Sequence, residues 1–309
     1  MGVSPWLTKD DGFMVKHLSA EDAAIILELS KELNIAAAKR LAKGHEIKFY
    51  IETTQGEKQL LRIEDMEDYH WLENDFSMYE YVANAGINAS RPISMGTFRN
   101  DALVYQLYTR LDGVDLVEAL ANMSPAEQFS TGIKAGTLMR KLHTLPPQNE
   151  TEPWKTRFER KVQDIIRACN DKPGKFKGAD VLVQYLQDNQ ELYDNRPQTF
   201  THGDWNTENL IYSPDGQIGI IDLSGEHDYG DPWCDFWEIP HDLNSSVHFY
   251  TGQIKGYFEG EPPFEFFRLL SYYNAYGTLK WSPENAHVIL YWFDDMRNPI
   301  PVWYLEDYA

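Results

Sequence analysis

The chain has 309 residues, of which 42% are hydrophobic and 25% charged, which excludes a disordered or fibrous protein. The formal net charge of −20 disfavours nucleic acid and anionic lipid as partners and would attract a cationic substrate, although solubility alone also explains it. No apolar run approaches the roughly 20 residues that span a bilayer, and no signal peptide is evident. We therefore expect a cytoplasmic protein with Cys169 and Cys234 reduced. We also expect a monomer or homodimer.

Helix and hairpin patterns alternate in the N-terminal third of the chain. The predicted elements are, in order, a helix opened by a capping box at Ser19, a β-hairpin of residues 46–54 and 58–64, a helix of residues 68–84 closed by Gly86, and a second hairpin of residues 91–98 and 103–109. A small antiparallel sheet with accompanying helices is therefore expected in residues 1–108.

The rest of the chain, residues 109–309, is mostly helical in pattern. Ser124 and Glu127 predict a capping box for a helix that ends near His143. The further elements are helices at about 153–169 and 179–193, short strands at 199–202, 210–212 and 218–222, and aromatic-rich helices beyond residue 231. The predicted fold class is α+β, with a small sheet lobe and a larger helical lobe.

Three side chains suited to phosphoryl transfer lie around the short strands. Asp204 precedes Asn209 by five positions, and Asp222 ends the apolar strand of residues 218–221. Transfer of a phosphoryl group needs a carboxylate to orient a hydroxyl and accept its proton, and it needs oxygen ligands for Mg²⁺. The spacing of Asp204 and Asn209 is that of the protein-kinase catalytic loop, with Asp222 in the place of the kinase metal-binding aspartate.

The motifs His202–Asp204, Ile220–Asp222 and Gly230–Pro232 together resemble the aminoglycoside phosphotransferase / choline-kinase-like family, a branch with the protein-kinase-like two-lobed fold. The resemblance implies a kinase that uses ATP or GTP with Mg²⁺. By resemblance, Asp204 is the catalytic base, and Asn209 and Asp222 are the metal ligands.

Neighbouring polar residues are expected to have structural roles. We expect His202 to stabilise the loop rather than react, and Asp231 and Asp235 to anchor the loop and the following helix. A catalytically silent, nucleotide-binding relative is the alternative to an enzyme.

The resemblance extends to the N-terminal lobe. It implies a nucleotide-covering hairpin that begins at Gly44, and Arg62 in the place of the basic residue that contacts phosphate. Asp75 is the expected acidic partner of Arg62, with Glu73 or Glu80 as alternatives.

Further family positions concern the nucleotide base and the acceptor. Gln106 and Tyr108 fall in the predicted hinge, where adenine would bind through backbone groups. Residues with a proposed substrate role are Glu226 and Asp228, which follow the metal loop, and Asp294 and Asp295, which adjoin the aromatic residues 291–293. A carboxylate beside aromatic rings suits an ammonium group, but a surface ion pair is the alternative for Asp294 and Asp295. An aminoglycoside or another amino sugar or amino alcohol is the expected kind of acceptor.

Overall fold

The computed structural model describes residues 18–41, 47–148, 152–171, 174–223, 229–243, 245–298 and 300–304. The chain forms two compact units, of which the first is Met1–Ala83 with Ala89–Leu111 and the second is Asn84–Asn88 with Asp112–Ala309. The first unit is rich in strands and the second is mainly helical, so the α+β prediction agrees with the structure. The units divide after Leu111. The roles expected of residues 1–108 and 109–309, nucleotide binding and catalysis, stay predictions.

An antiparallel sheet forms the first unit, with the strand order β1-β2-β3-β5-β4. Its strands are β1 (Ile35–Arg40), β2 (Ile47–Thr53), β3 (Lys58–Asp65), β4 (Pro92–Phe98) and β5 (Leu103–Thr109). The two predicted hairpins are β2–β3 and β4–β5. Strand β1 was not predicted, because its alanine-rich sequence lacks a clear alternation of apolar and polar residues.

Helices cover both faces of this sheet. Helix α1 (Ala20–Leu29) begins at Ser19, whose hydroxyl accepts a hydrogen bond from the Asp22 backbone at 3.1 Å, and it packs on the face that carries Leu61 and Ile63. Helix α2 (Tyr69–Asn84) contacts the opposite face through the side chains of Arg62 and Gln106. Arg62 in the middle strand β3 is thereby buried beneath α2, whereas its sequence neighbours Leu61 and Ile63 face α1.

The second unit is built mainly from helices. They are α3 (Leu116–Leu120), α4 (Pro125–Leu142), α5 (Trp154–Asn170), α6 (Ala179–Asp188), α7 (Ile239–Asp242), α8 (Val247–Phe258), α9 (Phe266–Trp281) and α10 (Ala286–Met296). The capping box predicted at Ser124 and Glu127 is present at the start of α4. Among the described residues, none of the helices combines the length and the apolar character needed to cross a membrane.

Two kinds of packing hold these helices. Helices α4 and α8 approach so closely that a Cβ atom at Gly136 would lie 1.9 Å from the Gln253 carbonyl oxygen. Helices α5, α6, α9 and α10 instead share a core of large rings, in which the ring of Phe158 lies 5.2 Å from that of Tyr273. Helices α5 and α9 are thus held in fixed register beside the site described below.

Short strands present the predicted catalytic residues. Strand β7 (Thr199–Phe200) pairs with β10 (Tyr229–Gly230), and β6 (Val114–Asp115), β8 (Leu210–Tyr212) and β9 (Ile218–Ile220) form a second small sheet. Strands β7 and β9 are two residues shorter than predicted. The backbone leaves β9 because Asp222 has a φ of +57°, which is incompatible with a strand.

Candidate active site

The loop between β7 and β8 holds the carboxylate of Asp204 in a defined orientation. One oxygen, Oδ1, accepts a hydrogen bond from Asn206 Nδ2 at 3.0 Å, and the other, Oδ2, accepts one from Asn209 Nδ2 at 2.7 Å. Asn209 also donates to the Asp204 backbone carbonyl at 2.9 Å. A carboxylate that is held by two amides and remains partly exposed is suited to receive a proton from a bound hydroxyl.

The imidazole of His202 is fully buried beneath this loop. Its Nδ1 lies 3.2 Å from the Asp204 backbone nitrogen, and its Nε2 lies 3.0 Å from the Ile221 carbonyl oxygen. A backbone N–H can only donate and a carbonyl can only accept, so the neutral form with hydrogen on Nε2 satisfies both contacts. Burial lowers the pKa of His202 below its ordinary value. The nearby carboxylates of Asp235, Asp204 and Asp222 oppose that shift without reversing it.

Asp235 anchors the start of the loop, as predicted. Its carboxylate accepts hydrogen bonds from the backbone nitrogens of His202 at 2.7 Å and Gly203 at 2.9 Å. His143 Nε2, at the end of α4, contacts the same carboxylate at 2.9 Å. Burial acts to raise the pKa of Asp235, but the contacts with His143 and His202 outweigh it and hold that pKa below its ordinary value.

Asp231 anchors the segment that follows β10. Its carboxylate accepts two hydrogen bonds from the Arg196 guanidinium, at 2.6 and 2.9 Å, and one from the Tyr273 hydroxyl at 2.6 Å. It also caps the short 3₁₀ helix Pro232–Phe236 by accepting from the Trp233 backbone. Asp231 therefore holds the second predicted anchoring position, and its carboxylate is engaged by the protein.

The two predicted metal-binding residues lie on adjoining backbone segments. The Ile221 backbone nitrogen donates to the Asn209 carbonyl oxygen at 3.0 Å, which places Asp222 one residue beyond the contact. Because the side-chain nitrogen of Asn209 is directed to Asp204, its amide oxygen is the atom left for a cation. A carboxylate and an amide oxygen are hard ligands, and this donor set fits Mg²⁺.

In the first unit, Arg62 and Asp75 form an ion pair of 3.4 Å between Nη1 and Oδ2. Arg62 is only 4% exposed and Asp75 only 1%, so the pair lies between β3 and α2 and not on the surface. Glu73 and Glu80, the other two candidates, are both exposed. Among the three acidic residues considered, Asp75 is the one with this contact.

Gln106 and Tyr108 lie inside β5, which pairs with β3 on one side and β4 on the other. Gln106 Nε2 donates to the Leu72 carbonyl oxygen of α2 at 2.8 Å, and the ring of Tyr108 lies 4.9 Å from that of Tyr79. The backbone groups of a strand paired on both sides serve the sheet. The adenine contact expected of these two residues stays a prediction.

Of the remaining predicted site residues, the structure describes Asp294 and Asp295. Gly44, Glu226 and Asp228 lie outside the described residues. Asp294 forms an ion pair with Arg297, and Asp295 accepts a hydrogen bond from the Val302 backbone at 3.0 Å. The structural alternative considered for Asp294 and Asp295 thus agrees with these contacts better than a substrate role does.

Beside Asp204 the second unit contains a cavity of about 330 Å³ that the sequence patterns did not reveal. Its lining includes Glu238 and several large rings contributed by α5, α9 and the segment before α7, among them Trp237 and Trp281. Burial, together with the charges of Asp204 and Asp242, raises the pKa of Glu238 to about 8. No motif in the chain marks Glu238, because its position depends on contacts between distant segments.

The fold and the oriented carboxylate of Asp204 define a phosphotransferase of small molecules. Within that class, the chain belongs to the APH phosphotransferase enzyme family, whose sequence pattern matches residues 37–267. No curated protein sequence matches the chain.

Solved structures of similar fold agree with this assignment. The aminoglycoside 2′-phosphotransferase-IIIa in its GDP complex gives a TM-score of 0.67 at 13% identity, over 89% of this chain and 98% of that one. APH(3″)-Id from Streptomyces rimosus, with ADP and streptomycin, gives 0.60 at 16% identity, over 85% and 100%. The amicoumacin kinase hAmiN, with AMP-PNP, Ca²⁺ and Ami, gives 0.58 at 13% identity, over 92% and 97%. The kinase-like two-lobed fold predicted from the sequence is thereby confirmed.

Proposed function

We propose that this protein transfers the γ-phosphoryl group of ATP or GTP to a hydroxyl of a small molecule, such as an amino sugar or amino alcohol, in a Mg²⁺-dependent reaction. The observation that carries the proposal is the carboxylate of Asp204, held by two amides beside the segment that ends in Asp222. Structural relatives with bound ADP, GDP or AMP-PNP, and with streptomycin or kanamycin, support a nucleotide and an amino-sugar acceptor.

Asp204 has the role of general base in this proposal. The acceptor oxygen forms a bond to the γ-phosphorus, the bond from that phosphorus to the bridging oxygen breaks, and the hydroxyl proton passes to the Asp204 carboxylate. The products are a phosphate monoester and a nucleoside diphosphate. Asn209 and Asp222 would hold Mg²⁺, which neutralises charge on the phosphate oxygens when it is bound.

Arg62 is proposed to contact nucleotide phosphates. Its guanidinium presents several donors in a planar fork that suits phosphate oxygens, and the contact with Asp75 limits the orientations it can adopt. An arginine here is not equivalent to the lysine that kinases usually carry, because lysine is a compact point charge.

Two substitutions separate nucleotide binding from chemistry. We expect Asp222→Asn to remove the Mg²⁺-dependent part of the rise in melting temperature caused by ATP or GTP, because a metal ligand is weakened. We expect Asp204→Asn to retain that rise but to lower kcat by about 10²–10⁴-fold, because the general base is lost. Thermal unfolding with and without MgCl₂, and nucleoside diphosphate release with a panel of amino sugars and amino alcohols, measure the two effects.

Asp215→Asn is the matched control, since Asp215 lies exposed in the turn between β8 and β9. It should behave as the wild type in both assays. The metal assignment would be overturned if nucleotide binding depended neither on Mg²⁺ nor on Asp222. Nucleotide binding without turnover of any acceptor would favour the silent relative over the enzyme.

A further inference from the structure

Six of the fifteen residues that line the cavity beside Asp204 are aromatic. Helix α5 contributes Trp154 and Phe158, and helix α9 contributes Tyr273, Tyr276 and Trp281. The volume of about 330 Å³ lies at the lower end of the range for small-molecule sites. A polyhydroxylated, multiply charged molecule needs many polar partners when it is buried, and ring faces supply few of them. The cavity is therefore suited to a compact molecule with an apolar surface.

The packing of Trp237 depends on a glycine of α9. A Cβ atom at Gly277 would lie 2.3 Å from the ring of Trp237, so the absence of a side chain there lets the ring lie directly on the helix. Trp281, one turn further along α9, is about half exposed. The faces of such rings attract both apolar groups and cations.

Glu238 supplies a carboxyl group to the same cavity. It is partly buried, and within the described part of the chain no donor forms a hydrogen bond with its side chain. The carboxylates of Asp204 and Asp242 act on it electrostatically, so its own surroundings are negative. Lys161 of α5 also lines the cavity, whereas Asp235 is engaged by the loop and His143. A carboxyl group that the protein leaves without a donor in a binding cavity is available to a ligand.

We propose that this cavity is the acceptor site and that Glu238 selects a compact amino alcohol by pairing with its protonated amine. The carbon skeleton of the acceptor lies against Trp237 and Trp281, and its hydroxyl lies at Asp204. This inference rests on the proposed phosphotransferase function, and it narrows the acceptor from amino sugars in general to a molecule with few charges and an apolar face.

A matched pair of compounds tests the role of Glu238. The probes are 2-amino-1-phenylethanol and 1-phenylethane-1,2-diol, which differ by an ammonium group in place of a hydroxyl. We expect the wild-type chain to bind the amine at least tenfold more tightly than the diol in isothermal titration calorimetry at about pH 8.5, where the Glu238 carboxyl group is ionised. Glu238→Gln should abolish that preference, whereas Glu265→Gln, a control at an exposed glutamate, should keep it. Trp281→Ala should weaken the binding of both compounds.

Several outcomes would overturn the proposal. They are equal binding of the two compounds, a preference for the amine that survives in Glu238→Gln, and the absence of binding of either compound at millimolar concentration.

Because these titrations contain no nucleotide, they are independent of the kinase assays. Loss of the amine preference in Glu238→Gln without any Mg²⁺-dependent nucleotide binding would leave the amine-binding role of Glu238 in place and refute the kinase function. Turnover of an acceptor at a rate that Glu238→Gln leaves unchanged would support the kinase function and refute the role of Glu238.

Discussion

At the scale of single residues, the buried His202 is hydrogen-bonded beneath the loop that carries Asp204. Its two nitrogens satisfy the Ile221 carbonyl and the Asp204 N–H within the protein interior. We expect His202→Ala to lower the free energy of unfolding by about 2–4 kcal/mol, since a fully buried side chain is removed and two partly buried backbone groups would lose their partners. Urea unfolding followed by circular dichroism measures this change.

His287 offers a control for that substitution because its side chain is exposed on α10. The change in stability for His287→Ala should stay within about 0.5 kcal/mol. If His202→Ala is no more destabilising than His287→Ala, the structural role assigned to His202 is wrong.

Glu238 gives the stability of the protein a pH dependence. Its pKa rises from 4.5 to about 8 on folding, so between these values the folded chain keeps a proton that the unfolded chain has lost. The contribution of Glu238 to stability is fully present below pH 4.5 and is lost as the pH rises through 8. Glutamine does not titrate. We therefore expect the melting temperature of Glu238→Gln, relative to that of the wild type, to increase from pH 5 to pH 8. Parallel curves of melting temperature against pH for the two proteins would contradict this linkage.

At the scale of elements, the close approach of α4 and α8 depends on Gly136. Alanine is the better helix former by about 1 kcal/mol, so propensity alone would make Gly136→Ala stabilising. The added Cβ atom would instead meet the Gln253 carbonyl, and the two helices would have to separate. We expect a net loss of about 1–3 kcal/mol in the free energy of unfolding, measured by urea denaturation.

Thr137→Ala is the matched substitution on the exposed face of α4. It should leave the stability within about 0.5 kcal/mol of the wild type. A Gly136→Ala variant as stable as Thr137→Ala would show that the helices can accommodate a side chain at their contact.

At the scale of the whole molecule, the net charge of −20 makes the folded chain repel itself. Added salt screens that repulsion, so we expect the melting temperature at pH 7.5 to rise when NaCl is increased from about 0.05 M to about 0.5 M. The same increase should have a smaller effect at pH 5, where part of the carboxylates are protonated. A melting temperature that falls with NaCl at pH 7.5 would show that local ion pairs outweigh the overall repulsion.

The loop that carries Asp204 and Asn209 could be predicted because its geometry is local. Asp204 and Asn209 are five positions apart in one loop, and Asp222 follows a short apolar strand. Neighbouring positions in a turn and at a strand end fix where such side chains emerge, so spacing and strand pattern were enough to indicate that the three residues lie on adjoining segments. The hairpins of the N-terminal unit were predictable for the same reason.

Tertiary structure alone decided the features that depend on contacts between distant segments. Burial beneath α2 makes Arg62 an interior residue paired with Asp75, whereas the strand pattern also allowed an exposed residue with three possible partners. Glu238 reaches the cavity beside Asp204 because α5 and α9 pack around it, and no local pattern records that packing. The sequence by itself therefore determined which polar residues the loop carries and how they are spaced. The surroundings of the cavity beside Asp204 were decided by the fold, because burial and charge environment arise from residues that are remote along the chain.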